Sequence, residues 1–228
     1  VPNQSGYNKR LRAAAFQLQA FIRLLAEDTD LWNDDTWMVD STPVECGRSR
    51  ETAKRSDLGG FAGYGYCASH SRYFWGLRLH LVTTPAGLPI AFALANPKVD
   101  EREVLRDLME IEPQLLDDRP GQVVLADKGY RSAELEAFLA DHGATLLRPA
   151  MRGEEPRPGA RLLKPLRQVI ESVNDTLKGQ LDLEHHGGRT PTGVITRVLQ
   201  RLLVLTAVIW HNEHVGARPH RSLLAYGH

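Results

Sequence analysis

The sequence predicts an α/β layered fold, and three features point to it. Two short apolar runs, Trp37-Met38-Val39 and Val123-Val124-Leu125-Ala126, each lead into an acidic residue, Asp40 and Asp127. Residues 74–84 and 88–95 read as two strands joined by a turn at Pro85-Ala86-Gly87. Segments with apolar residues at helical spacing stand between and after these runs. The order strand, two paired strands, helix, strand, helix, strand, helix is the alternation of a layered α/β domain.

Taken along the chain, residues 7–27 place Leu11, Ala14, Ala15, Leu18, Phe21, Ile22 and Leu25 on one helical face, with Arg10, Arg12 and Arg23 between them. Residues 45–72, rich in Gly, Ser, Arg and Lys and without periodicity, read as a long loop, functional or mobile. Residues 101–116 read as a helix, and 132–141 as another with Ser132 as its N-cap. Thr145 to Leu147 makes a short strand, and 150–161 a Pro/Gly/Arg-rich connection. A helix follows over 163–181, and a last one runs from about Thr190, with Pro191 in its first turn, to about His214.

Composition sets bounds. The chain has 228 residues, 42% hydrophobic and 25% charged, ordinary for one globular core with appendages. Leu202 to Trp210, its longest apolar stretch, is too short to span a bilayer, so no membrane partner is expected. Two cysteines make no disulfide framework and suit a reducing interior. A formal net charge of zero counts mildly against a nucleic-acid partner, but its distribution is uneven. Arg48, Arg50, Lys54 and Arg55 cluster in the 45–72 segment, and Arg148, Arg152, Arg157, Arg161, Lys164 and Arg167 form a second run. Each is either solvated loop charge or a set of phosphate contacts.

Asp40 and Asp127, at strand ends, are either caps of a turn or carboxylates gathered where open α/β sheets collect ligands. On the helix 163–181, Arg167, Glu171, Asn174 and Lys178 form one polar stripe beside the apolar stripe Leu166, Ile170, Val173 and Leu177. That polar stripe is either a solvated face with an Arg167–Glu171 pair or the third part of a site. Asp40, Asp127 and Glu171 together would make a hard-oxygen site of the kind that holds Mg²⁺ with waters and phosphate oxygens. Lys128, Arg167 and Lys178 would then neutralise phosphate beside it.

These residues carry a resemblance. Val39-Asp40-Ser41-Thr42-Pro43-Val44, Ala126-Asp127-Lys128-Gly129-Tyr130, and Arg167 to Glu171 through Leu177-Lys178 resemble the three catalytic segments of bacterial insertion-sequence DDE transposases. Gly76-Leu77-Arg78-Leu79-His80-Leu81, the Gly87-Leu88-Pro89 turn, Asn96 and Asp100 are most similar to the nine-eighty-two group. The resemblance covers about residues 36–214. It implies a ribonuclease-H-like mixed sheet flanked by helices with a long C-terminal helix. It implies cleavage of DNA at the transposon end and transfer of the freed 3′ hydroxyl to target DNA. Asp40, Asp127 and Glu171 are then expected to hold two divalent ions, Mg²⁺ or Mn²⁺. Lys128, Arg167, Asn174, Lys178, Arg48, Arg50, Lys54 and Arg55 are expected to contact double-stranded DNA. A homodimer on paired transposon ends, in the bacterial cytoplasm and nucleoid, goes with it.

The sequence departs from the pattern at Lys164, where some relatives carry Tyr. A full-length relative is expected to have more sequence before residue 1, which makes 1–30 a helical remnant and 31–228 the catalytic domain. Two other readings follow: a non-catalytic DNA-binding remnant or regulator, and a related ribonuclease-H-like nuclease. Cys46, Cys67 and His70, with His80 as a fourth ligand, offer an incomplete zinc pattern, against two free thiols in a loop. His185-His186-Gly187-Gly188-Arg189 reads as a helix stop and turn that also lies where DNA could be contacted. Tyr64, Tyr66 and Tyr73, in the basic segment, are candidates for stacking on bases, whereas Trp32, Trp37, Trp75 and Trp210 belong to core or interface.

Overall fold

The computed structural model describes residues 4–67, 71–155 and 159–223. The N-terminal helical pattern forms two helices, α1 (Gln4–Ala13) and α2 (Ala15–Glu27), rather than one, with a break at Ala14. Then follow β1 (Thr36–Gly47), α3 (Arg50–Arg55), β2 (Gly63–Cys67), β3 (Arg72–Thr83) and β4 (Pro89–Ala95). The second half carries α4 (Glu101–Ile111), α5 (Gln114–Asp117), β5 (Val123–Leu125), α6 (Ala133–Asp141), β6 (Thr145–Leu147), α7 (Ala160–Asp175) and α8 (Pro191–His214).

The six strands form one mixed sheet in the order β2-β3-β1-β5-β6, with β4 also on β3. β2 and β4 share one edge of β3, since β2 pairs with Arg72 to Gly76 and β4 with Arg78 to Thr83. β1 is antiparallel to β3 on one side and parallel to β5 on the other. Helices flank this sheet and the long α8 closes the chain's described part, as the expected fold class requires.

Two sequence expectations change here. β1 does not stop at Asp40; it continues through Ser41-Thr42-Pro43 to Gly47, because β3 offers partners as far as Trp75. Pro43, which has no N–H to donate, is tolerated because β5 covers the other edge of β1 only opposite Thr36 to Met38. The 45–72 segment is likewise not an irregular loop: it holds the end of β1, the helix α3 capped by Ser49, and the edge strand β2. Its tip, including His70, lies outside the described residues. Gly76 is needed where the two long strands meet, since a Cβ there would come 2.1 Å from the Val44 carbonyl oxygen.

The 101–116 helix is divided at Pro113 into α4 and the short α5. Ser132 caps α6 as expected, accepting from the Leu135 N–H. The 163–181 helix begins at Ala160, and its last turn, Thr176–Gln180, widens into a π-helix, a local form often found at functional sites.

The main core joins both halves of the sheet to the helices: Trp37, Val39, Leu79, Leu81, Val124 and Tyr130 pack with Leu105, Leu139 and Val198. Ile22 and Ala26 of α2 belong to the same core, and α2 packs along α8. By length and composition α8 is apolar enough to cross a membrane. Its buried Val194, Val198, Leu202, Leu205 and Ile209, however, recur at helical spacing and all pack inside this core. A second cluster, Met38, Leu125, Leu147 and Ile170, lies between the sheet and α7 and forms the floor of the site described next.

Candidate active site at the split between β1 and β5

The site follows from strand register. In the parallel pair, Met38 stands level with Leu125. Asp40 lies two residues past Met38 in β1 and Asp127 two residues past Leu125, just beyond the end of β5, and both line one cleft. The sheet face beneath it is the one α7 packs on, as the Met38–Leu125–Ile170 cluster shows. Beyond Leu125 the strands part: β1 continues against β3, while β5 ends in a 3₁₀ turn over Lys128–Tyr130. The gap is the crevice in which open α/β sheets place their ligands.

Asp40, Asp127, Arg167 and Glu171 all line one cleft, above a floor of Met38, Leu125, Leu163, Leu166 and Ile170. Asp40 is half-buried; its Oδ1 accepts from the Ser41 N–H at 2.8 Å and its Oδ2 from the Asn174 side-chain amide at 2.9 Å. Burial first, then the negative charges of Asp127 and Glu101, raise the Asp40 pKa to about 6. Asp127 is exposed and caps the 3₁₀ turn, accepting from the Gly129 N–H at 2.7 Å. Glycine at 129 makes that approach possible, because a Cβ would sit 2.9 Å from the same carboxylate oxygen.

The polar stripe of α7 is only partly the expected solvated face. Glu171 is exposed and accepts from Arg167 Nε at 2.9 Å, the i,i+4 pair foreseen from spacing. Asn174 is instead buried and holds Asp40, which removes it from direct contact with DNA phosphate. Lys178 is half-buried within the π-helical turn. Lys128 is exposed next to Asp127.

The sequence assigns no role to three further residues of this region, Arg78, Glu101 and Tyr130. Arg78 Nη1 donates to Glu101 Oε1 and to Ser41 Oγ, both at 2.5 Å, and Ser41 Oγ donates to Glu101 at 2.7 Å. Tyr130 is fully buried, and its hydroxyl has no hydrogen-bond partner among the described residues. Burial and the charges of Glu101, Asp40 and Asp127 push that hydroxyl's pKa well up, so it stays protonated.

Other candidates are placed differently. Arg148 is a correction: it is buried, and it donates to Glu136, to both oxygens of Glu154 and to the Pro149 carbonyl, so its charge is paired inside the protein and not presented to a phosphate. The hydrogen bonds from Arg148, then the Met151 N–H, hold the Glu154 carboxyl down at about 2. Arg48, Arg50, Lys54 and Arg55 are exposed at the start of α3 and on it, away from the cleft lining. His80 is buried in β3, and burial lowers its pKa to about 4. Cys46 lies 3.8 Å from His186 Nε2. His186 Nδ1 accepts from the Gly188 N–H, so its Nε2 carries the proton given to the Glu45 carbonyl, which fixes this histidine as a brace for the turn.

The donor set of the cleft fits a hard divalent cation: two carboxylates in one cleft, one with its pKa raised by burial and then by neighbouring negative charge. Among the described residues, however, no three Asp, Glu, His or Cys side chains stand close enough together to hold a metal ion. Glu171 is turned to Arg167 rather than to the two aspartates.

No curated protein matches the chain. The family described as Transposase DDE domain matches residues 33–207, which span β1 through most of α8 and include all three acidic residues. Members of that family are DNA transposases that generally use divalent metal ions, and their catalytic fold is ribonuclease-H-like. The mixed sheet, the strand register and that match together show that this chain belongs to the transposase DDE domain family.

Proposed function

We propose that the chain is the catalytic domain of an active bacterial insertion-sequence transposase of the nine-eighty-two group, with Asp40, Asp127 and Glu171 as its acidic set. The observation that carries this reading is the cleft beyond the last β1–β5 pair, which Asp40, Asp127 and Glu171 all line. When bound there, Mg²⁺ or Mn²⁺ would polarise the scissile phosphate and lower the pKa of the attacking hydroxyl. Asp40 and Asp127 would hold the ions together with water and phosphate oxygens.

Glu171 is available for the same task at little cost. Its bond to Arg167 joins two side chains that are 55% and 65% exposed. Pairs of that kind contribute about 0.3–0.5 kcal/mol, so DNA phosphate arriving at Arg167 can release Glu171 toward the aspartates. Asn174 keeps Asp40 oriented meanwhile. Lys128, Arg167 and Lys178 would position the phosphate backbone; a homodimer on paired ends in the nucleoid completes the reading.

A strand-transfer assay on transposon-end DNA with Mg²⁺ or Mn²⁺ tests it. Activity is expected from the chain and should be lost in Asp127→Asn; unchanged activity in that variant would remove the site assignment. The pairing of Glu171 with Arg167 favours one second reading, a DNA-binding protein without catalysis. Metal-dependent cleavage by the chain excludes it, and cleavage without any strand joining would point to a nuclease of the same fold.

A further inference from the structure

We propose that the outer hairpin of β2 and β3 is a platform on which unpaired bases of the DNA stack. Tyr64, Tyr66 and Tyr73 are 53%, 47% and 79% exposed, an unusual concentration of bare aromatic surface on one edge of a sheet. They share one face. Tyr66 stands directly opposite Tyr73, with ring centroids 5.0 Å apart, and Tyr64 stands opposite Trp75.

Register relates this face to the cleft. Asp40 is level with Leu81 on β3, and the strand's side chains alternate, so Leu81, Trp75 and Tyr73 point to the same side of the sheet as Asp40. Tyr73 lies eight residues from Leu81 along β3, about 27 Å at ~3.4 Å per residue. That is the rise of about seven or eight nucleotides of a strand. A DNA strand with its scissile phosphate in the cleft can therefore reach the tyrosines along one face of the protein.

Charge complements the aromatic surface. Gly47, level with Trp75, leaves only the space taken by Thr52 of α3 and the Trp75 ring, so α3 lies on the tyrosine side of the hairpin. The helix turns Arg50, Lys54 and Arg55 to solvent, with Glu51 as the one acid among them. Basic side chains that follow the backbone, beside rings that accept any base by its π face, are the combination that binds single strands without sequence preference. The occupant is thus a stretch of DNA whose bases are out of the stack, and this inference rests on the DNA-acting reading above.

The test uses two equal-length DNAs, one fully paired and one with a central unpaired stretch carrying 2-aminopurine. The full chain should bind the second more tightly and quench its fluorescence. Tyr73→Ala and Tyr66→Ala should each weaken binding to the unpaired DNA by roughly tenfold and reduce quenching, while leaving affinity for the duplex unchanged. Tyr73→Phe, which keeps the ring, should behave as the parent, and melting curves identify any variant that does not fold. Equal binding and quenching by the alanine variants overturns the platform. So does a dimer, seen in sedimentation, that the alanine variants dissociate while DNA binding stays the same. If quenching is absent but Asp127-dependent cleavage persists, the platform alone fails; if the chain binds neither DNA, both readings fail.

Discussion

Asp40→Asn should stabilise the metal-free protein at neutral pH. In the folded state its carboxyl titrates at about 6 instead of 3.8, because burial and the charges of Asp127 and Glu101 oppose ionisation. About two pKa units correspond to roughly 3 kcal/mol of destabilisation when the group is charged. An amide at this position still accepts one hydrogen bond but not two charge-assisted ones from Ser41 and Asn174, a loss of about 1 kcal/mol. The net gain is about 2 kcal/mol, or roughly 4–8 °C for a chain of this size. The folded state binds the extra proton, so the cost is present in full above pH 6 and disappears below about pH 4. The difference between variant and parent should therefore shrink to nothing as the pH falls from 7 to 4. Thermal melting in chelator across that range measures it, and added Mg²⁺ should raise the melting temperature of the parent but not of the variant. A variant that is less stable than the parent at pH 7 would refute the electrostatic account of the cleft.

Further outcomes follow from the same structure. His80 works in the opposite direction: its pKa is lowered from 6.5 to about 4 by burial, so the unfolded state binds more protons between those values and acid destabilises the fold. His80→Leu should remove that acid sensitivity, read as a flatter dependence of denaturant midpoint on pH from 6.5 to 4. Asn174→Ala should cost about 2 kcal/mol in urea unfolding, since it strips a buried carboxylate oxygen of its donor. Gly76→Ala should fold poorly or lose more than about 3 kcal/mol, because its Cβ has no space beside the Val44 carbonyl; a melting temperature equal to the parent's would contradict this packing. Arg148→Ala should lower the melting temperature without a specific loss of affinity for DNA, measured by salt-dependent binding.

The parts of the fold carried by strong local patterns were legible in the sequence. The β3–β4 hairpin, α6 with its Ser132 cap and α8 with Pro191 in its first turn all stand close to where periodicity and end signals put them. The apolar run Trp37-Met38-Val39 marks only the start of β1, whose continuation through Ser41-Thr42-Pro43 depends on pairing with the long strand β3. The 45–72 segment looked irregular because its strand alternates glycine with tyrosine and depends on pairing at a sheet edge. Asp40 and Asp127 can be named from sequence, but their meeting in one cleft depends on the pairing of strands far apart in the chain. Arg148 shows the opposite error: a charge within a basic run looked free because burial is decided by tertiary packing. Arg78 and Tyr130 stand in segments that carry the resemblance, but their place beside Glu101 comes from three separate elements meeting in the fold and not from any spacing.

The short ladder of Thr36 to Met38 with Val123 to Leu125 also bears on how the molecule assembles. The hairpins of β2, β3 and β4 close over short loops and can form early, whereas this parallel contact must bring together segments more than eighty residues apart. An intermediate holding only the hairpins would present Asp40 without its companion. On the proposed function, such a chain would gather neither metal nor phosphate until that parallel pairing had formed.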